Sequence, residues 1–156
     1  MHKRGNVLDR LSRNDDTVLV NLCSDEDDWS SDFMRELNKK YPLAKREYNK
    51  SGHTMGDTQL INTKGLYIAN CTVIEHDSGY MNFDAFDKCM SVLSGFARDR
   101  DVKVIMSKNS IEIDDDDWAD VEEILIKEFR NLPMFVYVSQ PHDSEDETPR
   151  RRSRGR

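Results

Sequence analysis

The sequence predicts a three-layer α/β/α domain built on a mainly parallel mixed sheet. Two observations lead there. Short apolar runs rich in valine, leucine and isoleucine alternate with longer stretches of helical periodicity, the pattern of strands joined by crossover helices. Near the middle, two apolar runs follow each other across a two-residue turn with no helix between them, which adds a hairpin and makes the sheet mixed.

The first strand is expected at residues 17–23 (TVLVNLC), after the polar turn 12–16, and its unbroken apolar character suits burial on both faces. In residues 30–41 Phe33, Met34, Leu37 and Tyr41 recur at helical spacing, with Ser30 or Ser31 as N-cap and Pro42 as the stop. Residues 58–62 (TQLIN) and 66–74 (LYIANCTVI) form the hairpin around Lys64 and Gly65. Asn82 caps a helix whose apolar face is Phe83, Phe86, Met90, Leu93 and Ala97, ending in the charged turn 98–101. A strand follows at 102–106. After the polar segment 107–117, Trp118, Val121, Ile124, Leu125 and Phe129 define a further amphipathic helix with carboxylates at its start, where the helix dipole favours them. Pro133 ends it, and 134–138 (MFVYV) is the last strand. Residues 1–139 thus make one domain, and 140–156 read as a disordered tail, acidic and then basic.

Charge is segregated. The formal net charge of the 156 residues is −7; residues 150–156 hold five arginines, so the 149 residues before them carry −7 − 5 = −12. Such a body repels polyanions, leaving Arg150, Arg151, Arg152, Arg154 and Arg156 as the only obvious attachment for nucleic acid. No apolar run approaches the roughly 20 residues of a membrane span and no secretory signal opens the chain, so no membrane contact and a cytoplasmic or nuclear location are expected. Cys23, Cys71 and Cys89 are odd in number, widely spaced and set in apolar surroundings, the pattern of buried reduced thiols. The histidines at 2, 53, 76 and 142 have no metal-ligand spacing to a cysteine or to each other. Neither disulfide, metal nor cofactor is expected.

Several words in this order resemble a macro domain, the ADP-ribose-binding fold, in the small branch of terminal ADP-ribose protein glycohydrolases and ADP-ribose-1''-phosphate phosphatases. They are Gly5 and Asn6, where that family has Gly-Asp; VLVNLCSDEDDWSSDFMRELNKKYP for its strand, binding loop and first helix; GDTQLI and LYIANCTVI for its hairpin; and VKVIMSKNSIEIDDDDWADVEEILIKEFRNLPMFVYV for its final strand, loop, helix and strand. The resemblance implies the three-layer fold, and ADP-ribose or ADP-ribosylated protein as ligand, with Asn6, Asn21, Ser30, Asp32, Ser110 and Glu112 along the site. It also places Asp114 where the glycohydrolases keep a catalytic aspartate.

The sequence departs from the family where phosphates bind. Macro domains hold the pyrophosphate on two glycine loops whose backbone N–H groups approach it closely. This chain has Trp29, Ser30, Ser31 and Asp32 in the first loop, and Asn109, Ser110, Ile111, Glu112 and Ile113 in the second. Carboxylates at 25–28, 32, 112 and 114–117 flank both. A like charge at about 4 Å costs roughly 1–4 kcal/mol, so a few such contacts cancel the roughly 8 kcal/mol of micromolar binding. The lysine that partners the catalytic aspartate in the family has no counterpart in Val73, Ile74, Glu75 and His76.

Each of these residues has a plainer alternative. Residues 114–117 are either a catalytic or cation-binding cluster or a solvated helix start. Trp29 is either a stacking surface or a plug that fills the pocket. Asn21 either meets a distal ribose or closes its strand end. The arginine segment is a nucleic-acid arm, a localisation signal or a solubilising end. Three functions follow: a non-catalytic interaction or weak ligand-recognition module, an ADP-ribosyl hydrolase using Asp114, and a nucleic-acid-associated accessory protein acting through its tail.

Overall fold

The computed structural model describes residues 2–4, 6–9, 11, 16–26, 28–64, 66–108 and 113–138. Ser110, Glu112 and the arginines at 150, 151, 152, 154 and 156 lie outside the described residues. The elements run β1 (His2–Arg4), a 3₁₀ turn (Val7–Asp9), β2 (Thr17–Ser24), α1 (Asp32–Lys40), α2 (Pro42–Asn49), β3 (Thr58–Asn62), β4 (Leu66–Ile74), α3 (Phe83–Arg100), β5 (Lys103–Ser107), α4 (Asp115–Glu128) and β6 (Met134–Val138).

Six strands form one sheet in the order β1-β6-β5-β2-β4-β3, parallel throughout except for the β3–β4 hairpin. β2 lies between β5 and β4 and is buried along its whole length, as its apolar run predicts. Its alternate side chains feed two cores. Val18, Val20 and Leu22 pack with Phe86, Met90 and Leu93 of α3 and with Trp118, Val121 and Leu125 of α4. Leu19 and Cys23 pack on the opposite face with Met34 and Leu37 of α1 and with Ala44 and Tyr48 of α2. Helices therefore cover both faces.

The caps follow the sequence closely. Ser31 caps α1, its Oγ accepting from Met34 N at 3.1 Å, and Asn82 caps α3, its Oδ1 accepting from Ala85 N at 2.9 Å. Pro42 does not stop the helical region: it opens α2, a helix the periodicity does not announce. At a first helical position the missing N–H costs nothing, and Tyr41 (φ −139°, ψ 72°) turns the chain between the two helices. α4 begins at Asp115, inside the stretch expected to be polar loop. β1 is an unforeseen short edge strand held in parallel register on β6.

Candidate functional site

All five parallel strands end on one side, so the loops after β1, β2, β4, β5 and β6 share the carboxyl edge of the sheet, where open α/β sheets place their ligand crevice. Between the ends of β2 and β4 and the start of α1 lies a cleft of about 120 Å³, lined by Leu22, Ser24, Asp28, Ser30, Ser31, Met34 and Ile74. Its floor is apolar and its rim is hydroxyl and carboxylate. Ser30 Oγ donates to Asp28 Oδ1 at 2.6 Å, and His76 Nδ1 lies 3.9 Å from Asp28 Oδ2. The loop after β4 is tied to the loop after β2 by His76 N donating to Asp25 Oδ1 at 2.9 Å and Asp25 N donating to the Ile74 carbonyl at 3.1 Å.

Trp29 stands beside this cleft as a buried side chain. Its Nε1 donates to the Met34 carbonyl at 2.7 Å, and its ring packs on Tyr48 with centroids 5.3 Å apart. The Tyr48 hydroxyl in turn donates to the Ser24 and Glu26 carbonyls at 2.8 and 2.6 Å. An α2 side chain thus fixes the backbone at the cleft mouth, and Trp29 fills the loop rather than offering a stacking face.

The candidates read from the sequence are distributed along the edge. Ser30 lines the cleft; Asp32, at the first position of α1, is exposed and paired with Arg35, whose guanidinium also donates to the Ser30 carbonyl. Asn6 follows β1, three strands away from β2 in the sheet order, where its Oδ1 accepts from Leu8 N at 2.9 Å. Asn21 is fully buried on β2; its Nδ2 donates to Asn70 Oδ1 at 2.9 Å, and it presents no surface to the cleft. Asp114 is the N-cap of α4, its Oδ1 accepting from Asp117 N at 2.8 Å. Partial loss of water, followed by the charges of Asp114, Asp120 and Asp116, holds the Asp117 carboxyl above the ordinary aspartate range, the signature of a crowded helix start.

Asp28, Ser24 and Tyr48 escaped the sequence reading as site residues. Asp28 was one of many carboxylates, and Tyr48 acts from a helix that the pattern does not reveal. Among the described residues no cluster of three or more histidine, cysteine, aspartate or glutamate side chains is arranged to hold a metal ion, and no helix is long and apolar enough to cross a membrane. The three cysteines are buried and free. Burial pushes the Cys23 thiol far above its usual range, and a hydrogen bond with Cys89 followed by burial raises that of Cys71.

No family model and no curated protein matches the sequence. Solved structures do. A protein of Bacteroides thetaiotaomicron is 20% identical, with a TM-score of 0.74 over 88% of this chain and 98% of its own. The macrodomain of Thermus aquaticus DarG is 15% identical, with a TM-score of 0.69 over 90% of this chain and 97% of its own. Thermosipho africanus DarTG in complex with ADP-ribose is 8% identical, with a TM-score of 0.64 over 86% of this chain and 40% of the larger protein. Element order, sheet topology and these likenesses agree: the chain has the macrodomain fold.

Proposed function

We propose that this chain is a recognition module whose ADP-ribose site has diverged, so that it binds ADP-ribose or ADP-ribosylated protein weakly and does not hydrolyse the bond. The observation that carries this reading is the occupied start of α1. A pyrophosphate needs free N–H groups at that helix terminus, yet Ser31 Oγ already accepts from Met34 N there, with the carboxylates of Asp28 and Asp32 beside it. The absence of lysine from residues 73–76, where the family resemblance places the partner of the catalytic aspartate, and the capping bond that Asp114 already makes, support the non-catalytic form.

Calorimetric titration with ADP-ribose tests the proposal. A dissociation constant weaker than about 100 µM is expected at physiological salt, and Asp32→Gly tightens binding by roughly tenfold, the worth of one nearby like charge. Low-micromolar binding by the unaltered chain, or turnover of an ADP-ribosylated protein that disappears in Asp114→Ala, overturns it.

A further inference from the structure

The carboxyl edge of the sheet carries charge of nearly one sign. Asp25, Glu26, Asp28 and Asp32 follow β2, Glu75 and Asp77 follow β4, and residues 114–117, all aspartate, open α4. The described basic residues of these loops are His76 and Lys108, and Lys108 lies over the Trp118 ring at 5.0 Å. Arg35, one turn into α1, is paired with Asp32. In the middle of this field is the cleft, whose floor of Leu22, Met34 and Ile74 and whose rim of Asp28, Ser24 and Ser30 suit one long cationic side chain. The methylene stem of an arginine would lie on the apolar floor and its fork would meet carboxylate and hydroxyl oxygens.

The chain has its own supply of such side chains. β6 is parallel to β5, and β5 to β2, so Val138 ends on the same edge as the cleft. Two strand spacings of about 4.8 Å separate β6 from β2, roughly 10 Å. The twelve residues from Val138 to Arg150 can extend to about 40 Å, so reach is ample. We propose that the cleft and its acidic surround are a docking surface for residues 150–156 of this chain. Exposed arginine–carboxylate pairs are weak one by one, but tethering raises the local concentration of the segment to the order of millimolar, enough for a weak contact to be populated. The docked arginines would neutralise the edge and compete with any other cation for the cleft. This contact does not depend on ADP-ribose recognition.

The test compares ¹⁵N–¹H correlation spectra of the full chain with those of the full chain carrying glutamine at 150, 151, 152, 154 and 156. These changes leave the described residues unaltered in sequence. At about 25 mM salt the amides of Ser24, Ser30, Ser31, Glu75 and His76 should differ between the two proteins. At about 500 mM salt, where the Debye length falls from roughly 20 Å to about 4 Å, the differences should shrink at least about fivefold. Asp28→Asn in the full chain should reduce them at low salt, and dilution should leave them unchanged. Differences confined to Asp143, Glu145, Asp146 and Glu147, differences that vanish on dilution and so report contact between copies, or identical spectra at the cleft would each overturn the proposal.

Discussion

Asn21 of β2 and Asn70 of β4 stand directly opposite each other in parallel register, and the Asn21 Nδ2 donates to the Asn70 Oδ1 at 2.9 Å inside the sheet. Asn70 Nδ2 continues the network to the Ala44 carbonyl of α2 at 3.1 Å and to Gln59 Oε1 of β3 at 3.0 Å. One buried amide thus joins three strands and a helix. Replacing Asn70 by alanine leaves the Asn21 amide and the Ala44 carbonyl without this partner in a site of low dielectric. Asn70→Ala should cost about 2–4 kcal/mol, measured as a lower urea midpoint at unchanged slope.

Asp114 serves as the cap of α4. Asp114→Ala should destabilise the fold by about 1 kcal/mol, while Asp114→Asn or Asp114→Ser, which can still accept from Asp117 N, should keep most of that stability. Thermal unfolding of the three variants reads the order directly. A catalytic role predicts a different pattern, in which stability is untouched and all three lose turnover.

α3 ends on Asp101 in the left-handed conformation (φ 56°, ψ 49°), where its N–H donates to the Ala97 carbonyl. A side chain costs energy in that conformation, and a carboxylate at a helix C-terminus meets the negative end of the dipole. Asp101→Gly should therefore stabilise the protein by about 0.5–1 kcal/mol, seen as a melting temperature higher by roughly 1–4 °C.

Asp87 of α3 and Glu128 of α4 both lie against Lys127, whose Nζ is 2.7 Å from Asp87 Oδ2 and 3.6 Å from Glu128 Oε2. The hydrogen bond to Asp87 is the main cause raising the Glu128 carboxyl, and the same bond is the main cause lowering Asp87. A raised folded value means the Glu128 contribution is complete below the ordinary glutamate range and lost as pH rises through the raised value. The Asp87 contribution has the opposite sign, present above the ordinary aspartate range and lost as pH falls. Glu128→Gln retains a donor at every pH, so it should remove the loss on the alkaline side and raise stability near neutrality by about 0.5 kcal/mol. Urea titrations in acidic and neutral buffers check this; a variant whose pH profile parallels the parent's refutes it.

Most of the fold was legible because its strands are dense apolar runs between turn residues: residues 58–62, 66–74 and 134–138 appear as strands with the bounds read from the sequence. Helix starts were legible where a capping side chain preceded an apolar stripe, as at Ser31 and Asn82. The misreading at Pro42 has a local cause, since the same residue ends one helix and suits the first turn of the next. α2 buries only Ala44 and Tyr48, too few positions to declare a period. The candidate site was less legible because its geometry is nonlocal. Trp29 is held by a tyrosine 19 residues later, and Asn21 is claimed by Asn70 through a register that no single strand encodes.

The shortness of β1 matters for how copies of the protein meet. The sheet ends on β1 at one side and β3 at the other. Among the described residues β1 comprises three, His-Lys-Arg in sequence, with Lys3 lying 4.9 Å over the Phe135 ring. A strand so brief gives an incoming β-segment few backbone groups to pair with and the Lys3 cation to pass, which is how soluble sheets discourage edge-to-edge aggregation. Strand addition by a second chain is thereby steered to β3, whose five residues form the longer free edge.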